Sequence, residues 1–197
     1  MQGHSFRDIS KFFIAGINYK KSDAEVRGHF AINQDQYARL LEKAPEYGVS
    51  ELFVLSTCNR TEIYGLADQP SHLIRLLCTQ TEGTENTFTR LAYIKKGYDA
   101  AEHLFRVAAG LDSQILGDYE IVGQIKQAVK YSRGNGSIGA FMDRLVGNVL
   151  QSSKAIKNET ELSGGTVSVS FAAVQYIKEK LADVSGKKIL LLGVGKI

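Results

Sequence analysis

A cysteine set among polar residues is the sharpest chemical feature of this 197-residue chain. Cys58 stands in the junction Thr57-Cys58-Asn59-Arg60-Thr61, between the strand-like runs 51–56 and 62–66. A loop at a strand end holds a side chain rigidly yet leaves it reachable, which suits a nucleophile. The cation at Arg60 would favour the thiolate, the form that attacks. The alternative is a partly buried structural cysteine, since free Cys is among the most buried residue types. Cys78, beside Leu76 and Leu77 in an apolar helical stretch, is read as core. His4, His29, His72 and His103 form no ligand pair with either cysteine at zinc spacing, so no metal site is expected. No G-x-S-x-G elbow is present. His103 opens the segment 103–113, where taken alone it reads as a helix-surface or core histidine rather than a base.

The elements that must position these residues follow from apolar spacing. Phe12-Phe13-Ile14-Ala15-Gly16-Ile17 reads as a buried strand. Ser22 is placed as the cap of a short helix, with Glu25 at the capping-box position. Tyr37, Leu40, Leu41 and Ala44 share one face of a helix over 35–47 that stops at Gly48. Two strands (51–56 and 62–66), a helix over 71–78 and a strand around 89–94 complete a β-α-(α)-β-β-α-β order, the connectivity of a ferredoxin-like split βαβ domain. From residue 99 the spacing is helical over 100–109, 120–132, 138–158 and 167–181, and Gly164-Gly165 is the candidate hinge. The chain closes on Ile189-Leu190-Leu191-Leu192-Gly193-Val194-Gly195, which reads as the first strand and glycine loop of a Rossmann-like dinucleotide-binding unit. It is therefore expected to be a fragment.

Composition excludes several classes. Two cysteines make no disulfide framework and fit a reducing, cytoplasmic compartment. No run approaches the roughly 18 apolar residues of a membrane span. Lys and Arg number 24 against 21 acids, a net charge of +3. The adjacent basic pairs Lys20-Lys21, Lys95-Lys96 and Lys187-Lys188 read as solvated surface, and composition alone does not show a nucleic-acid contact.

Leu55-Ser56-Thr57-Cys58-Asn59-Arg60-Thr61-Glu62-Ile63-Tyr64 strongly resembles the signature of the glutamyl-tRNA reductase family. Three further segments resemble that family in order: Gly16-Ile17-Asn18-Tyr19-Lys20; 103–113 continuing to Leu116-Gly117 and Ile121-Val122-Gly123-Gln124; and Thr160-Glu161-Leu162 followed by Val167-Ser168-Val169-Ser170. The resemblance implies a cysteine that attacks the ester of glutamyl-tRNA, giving a thioester that NADPH reduces to glutamate-1-semialdehyde for tetrapyrrole (porphyrin) synthesis. Cys58 takes the nucleophile position and His103 that of the family's histidine, a base or a guide for the substrate amine. Arg60 takes the place of the residue that pairs with the substrate's side-chain carboxylate, a role suited to a planar guanidinium. Thr57, Ser113, Asp118, Glu120 and Gln124 take substrate-binding positions, and Gly193 and Gly195 an incomplete NADPH loop. Two departures stand out. Gly117-Asp118-Tyr119-Glu120 replaces the usual Gly-Glu-x-Gln, so Asp118 has shorter reach and Glu120 loses amide donors. Tyr19 stands where a histidine is frequent and is given no role.

The resemblance implies an α+β catalytic domain over 1–160. Its ferredoxin-like part runs to about 97 and its helical part over about 98–160. Residues 161–197 supply a linker helix and the first strand of a truncated NADPH-binding domain. The whole enzyme would take glutamyl-tRNA(Glu), dimerise through an absent C-terminal domain, and hand its product to glutamate-1-semialdehyde aminomutase. The fragment would form the thioester without bound cofactor and without reducing it. Two other classes remain open on the residues: a cysteine-dependent acyl hydrolase or transferase, and a non-catalytic RNA-binding module with aromatic side chains on an exposed sheet face.

Overall fold

Strand residues alternate between two faces, and here both faces are covered, so the strands read as continuous apolar runs. The computed structural model describes residues 9–160, 162, 169–181 and 183–190. In chain order the elements are β1 (Phe12–Asn18), α1 (Ala24–Gly28), α2 (Gln34–Lys43), β2 (Glu51–Ser56), β3 (Arg60–Leu66), α3 (Pro70–Cys78), α4 (Glu85–Leu91), β4 (Tyr93–Lys96), α5 (Gly97–Ala108), α6 (Glu120–Gly134), α7 (Ala140–Glu159) and α8 (Val169–Lys180). The strands form one sheet in the order β2-β3-β1-β4, every neighbour antiparallel.

Period two sorts the side chains. Phe13, Ala15, Ile17, Leu52, Val54 and Ile63 face one way, against Phe30, Leu40 and Leu41 of the α2 side and Leu73, Leu76 and Phe88 of α3 and α4. Phe12, Ile14, Phe53, Leu55, Tyr64 and Leu66 face the other way, against Leu104 and Val107 of α5, Ile125 and Val129 of α6, and Met142 and Val146 of α7. The helices after residue 97 therefore share a core with the sheet. The edge strand β2 is closed in part by neighbours: the Leu52 N–H donates to Ser137 O at 2.9 Å and the Val54 N–H to the Tyr37 hydroxyl at 2.6 Å. No helix among the described residues is long and apolar enough to cross a membrane.

Four expectations need correcting. The cap of α1 is Asp23, whose carboxylate accepts from Val26 N at 2.8 Å; the Ser22 hydroxyl instead donates to Asn18 O, tightening the turn out of β1. Helix α2 stops at Lys43 and gives way to a 3-10 turn, Ala44–Tyr47, because Pro45 offers no N–H to continue the α ladder. The stretch 89–94 is not one strand. Thr84 caps α4 by accepting from Thr87 N, Phe88 enters the core, and pairing with β1 begins only at Tyr93. Finally, β3 begins at Arg60 rather than 62, so the junction shrinks to residues 57–59.

At the far end, Ile189 and Leu190 are exposed and belong to no strand, since no described strand pairs with them. Residues 191–192, the Gly193 and Gly195 loop and the Gly164-Gly165 hinge lie outside the described residues.

Candidate active site

The tip between β2 and β3 is tied down at each residue, while Cys58 itself is exposed. The Thr57 hydroxyl accepts from the N–H groups of Asn59 and Arg60, both at 3.2 Å, standing in for a turn carbonyl. Thr57 N–H donates to Arg60 O at 2.8 Å, and Tyr19 N–H to Asn59 O at 2.9 Å. The Cys58 carbonyl accepts from Arg27 Nε at 3.2 Å. The result is a thiol open to solvent on a backbone that cannot drift, the arrangement an in-place nucleophile requires. Cys78 is the contrast: it is half-buried, and burial, aided by the charge of Glu85, pushes its thiol up to about 11.

Behind the tip, β3 turns three polar side chains to the α5 face: Arg60, Glu62 and Tyr64, spaced by two. Glu62 is fully buried and takes four donors. Oε1 accepts from Arg60 Nη1 at 3.1 Å, from His103 Nε2 at 2.7 Å and from the Tyr93 hydroxyl; Oε2 accepts from the Tyr64 hydroxyl at 2.5 Å. Phe53 stacks on Tyr64 with centroids 4.4 Å apart, fixing the ring that makes this last bond. Gly16 permits the arrangement. It lies on β1 between Glu62 and Tyr93, and a Cβ there would stand 2.7 Å from Glu62 Cγ and 3.0 Å from the Tyr93 hydroxyl.

Burial by itself would push the Glu62 carboxyl up, but Arg60 and the His103 bond outweigh it and hold the pKa down to about 2. Burial works against the Arg60 cation as well, and the charge of Glu62 raises it despite that. An ionised Glu62 can only accept, so His103 Nε2 carries the hydrogen and Nδ1 is left over. His103 rises from the middle of α5 and lines a cleft of about 420 Å³ shared with Asn18, Lys20, Tyr93 and Asp112.

The loop after α5 completes the cluster. Gly110 turns the chain with φ of +73°, a conformation L side chains rarely adopt. Asp112 then reaches Arg60: its Oδ2 accepts from Nη1 at 3.2 Å and its main-chain O from Nη2 at 2.6 Å. Asp112 Oδ1 pairs with Lys20, and the Tyr19 hydroxyl donates to Ser113 O at 3.2 Å.

The expected site residues thus separate. Arg60 and His103 meet through Glu62, and Ser113 lies beside them on the Asp112 loop. Thr57 serves the Cys58 tip. Arg60, 2% exposed, spends its bonds on Glu62 and Asp112 rather than on the thiol. Asp118 accepts from Glu120 N at 3.0 Å at the start of α6, and Glu120 is exposed there. Gln124 lines a different cleft, of about 330 Å³, at the β2 edge with Ser56 and Tyr131. Glu62, Tyr64, Tyr93, Asp112 and Lys20 were not singled out from the sequence. A period-two reading begun at Arg60 would have put Glu62 and Tyr64 on its face; Tyr93 and Lys20 carry no local signal.

Comparison with known proteins adds the family. Residues 15–160 match the family model described as glutamyl-tRNAGlu reductase, N-terminal domain. The chain is 54% identical over 186 residues to the glutamyl-tRNA reductase of Christiangramia forsetii, covering 94% of this chain and 44% of that protein. It is 49% identical over 197 residues to that of Flavobacterium psychrophilum, covering 100% and 48%. Among solved structures it resembles glutamyl-tRNA reductase from Methanopyrus kandleri, with a TM-score of 0.69 and 27% identity over 87% of this chain and 40% of that one. The chain spans about half the length of the relatives it matches.

Proposed function

The chain belongs to the glutamyl-tRNA reductase family through its N-terminal domain, and from that premise we propose that it carries the thioester-forming half of glutamyl-tRNA reduction in tetrapyrrole synthesis. The observation that carries this reading is the tethered tip with its exposed thiol. Cys58 Sγ attacks the ester carbonyl of glutamyl-tRNA; the S–C bond forms, the bond to the ribose oxygen breaks, and the thiol proton ends on the ribose hydroxyl. A thioester carbonyl has less resonance stabilisation than an ester and accepts hydride more readily. That hydride comes from NADPH in the whole protein. Gly193 and Gly195, taken as its loop, lie outside the described residues, and the chemistry of the described residues ends at the thioester.

His103, with Nε2 committed to Glu62, offers Nδ1 to the substrate amine or the thiol proton. Arg60 is the cation for the glutamyl side chain. Thr57 holds the tip, and Ser113 joins Asp118 and Glu120 on the α5–α6 side as substrate contacts, with Gln124 reaching from the β2-edge cleft. We also take the β2-β3-β1-β4 order as a ferredoxin-like split βαβ sheet within a catalytic domain over 1–160. Dimerisation, hand-over of the semialdehyde to its aminomutase, and a cytoplasmic location belong to the proposal for the whole protein. An RNA module without chemistry is disfavoured, because helices cover both sheet faces and, among the described residues, the sheet shows no exposed aromatic platform.

Alkylation tests the reading against that alternative. Iodoacetamide is expected to label Cys58 well ahead of Cys78, and glutamyl-tRNA to slow Cys58 labelling far more than uncharged tRNA does. Equal protection by the two tRNAs would point to RNA binding alone.

A further inference from the structure

The clefts of about 420 and 330 Å³ lie on opposite flanks of the β2–β3 hairpin that carries Cys58. The sheet order β2-β3-β1-β4 enforces this, since the first cleft sits on the β1 and β4 side and the second at the β2 edge. The two differ in chemistry. Lys20, Asp99, Glu102, Arg106 and Asp112 give the first charges of both signs. No charged side chain among the described residues lines the second. A glutamyl ester of tRNA is divided in the same way about its reacting carbonyl. One half carries an ammonium and a carboxylate; the other is the ribose and base of the terminal adenosine, neither of them charged.

We propose that the β2-edge cleft is a subsite for a neutral nucleoside and receives that terminal adenosine. The inference rests on the reading of glutamyl-tRNA as the substrate of Cys58. Reach supports it first. Ser56 lines the cleft two residues before Cys58, so their Cα atoms lie within about 7 Å of each other. One wall is a fixed aromatic ring. The Tyr131 hydroxyl donates to Gln34 O at 3.3 Å, and its ring leans on Tyr37 with centroids 5.0 Å apart. A ring held at both ends offers an unpaired base a stacking surface at little cost in entropy. Gln124 and Gln127, exposed and one turn apart on α6, supply amides that both donate and accept. The floor is strand backbone. Leu52 and Val54 turn their N–H groups off the edge to Ser137 O and the Tyr37 hydroxyl, and Ser56 follows in that outward series. With the first two taken, no run of free N–H groups remains for another strand, but the edge of a base still finds a partner. The glutamyl half placed here would bury its charges without a counter-ion, so the orientation is set.

The test follows acylation of Cys58 by glutamyl-tRNA, by the 3′ glutamyl ester of adenosine and by glutamate α-methyl ester, in wild type and Gln127→Ala. In wild type the adenosine ester is expected to half-saturate at a concentration about tenfold or more below that of the methyl ester. Gln127→Ala, at an exposed position, is expected to cut that advantage about threefold or more, because the methyl ester places nothing in the cleft. A second measurement locates the base directly. Wild type irradiated with tRNA ending in 8-azidoadenosine is expected to cross-link within residues 32–34, 54–56 or 124–131. Cross-links outside the cleft, no advantage for the adenosine ester, or an advantage that Gln127→Ala lowers by less than about threefold would overturn the inference. Transfer from glutamyl-tRNA to Cys58 with any of those results removes this inference and leaves the thioester reading. Absence of that transfer to wild type would instead overturn the thioester reading, and the inference with it.

Discussion

Cys58→Ser is expected to lose acyl transfer from glutamyl-tRNA by at least about a thousandfold, on the order of 4 kcal/mol in the barrier. A serine hydroxyl in the same place is un-ionised near neutral pH and is a far weaker nucleophile than a thiolate. The variant should fold as wild type does, within about 0.5 kcal/mol, because the thiol is exposed and holds up no packing. Cys78→Ser should show the reverse pattern, with transfer kept and a modest stability loss from its half-buried site. Urea unfolding beside single-turnover transfer separates the two. Transfer that survives in Cys58→Ser would remove the nucleophile assignment.

Glu62→Gln is expected to cost about 3–5 kcal/mol, the range for breaking a buried ion pair on one side. The amide must turn an NH2 toward one of the four donors and leaves Arg60 with Asp112 as its remaining anion. The pH dependence gives an independent measure. The carboxyl's pKa falls from 4.5 to about 2 on folding, so its contribution, about 3 kcal/mol, is present in full above pH ~4.5 and drains away as pH falls through 2. Wild type should lose stability across that window, and Glu62→Gln should be flatter there. Unfolding followed by circular dichroism between pH 7 and 2 measures both. A loss under about 1 kcal/mol at pH 7 would mean the cluster does not hold the site together.

Much of this was legible in the residues. Strand β2 came out with its observed bounds, and helices α3, α5, α6 and α7 lie where their apolar spacing put them, because burial on one stripe leaves a direct trace in sequence. Strand β3 reads short at its start in the sequence because Arg60 is a buried strand residue balanced by Glu62 two residues on and by Asp112 far along the chain, and polar residues there mimic a loop. The strand expected around 89–94 runs over the end of helix α4 because Thr89 and Tyr93 favour pleated surfaces, whereas the helix capped by Thr84 continues to Leu91. The signature around Cys58 points to the proposed nucleophile. It could not reveal that Asp112, 52 residues beyond Arg60, and Tyr93, 31 residues beyond Glu62, close around the same buried charges. Such contacts depend on the sheet order and on Gly16, neither of which has a local signal.

Mass spectrometry of the acid-quenched protein after brief mixing with glutamyl-tRNA tests the central claim most directly. The expected result is one glutamyl group on the Cys58 peptide, removed by hydroxylamine and absent when Cys58 is alkylated beforehand. Glutamyl found elsewhere in the chain, or loss of glutamate from the tRNA with Cys58 unmodified and blocked, would contradict it.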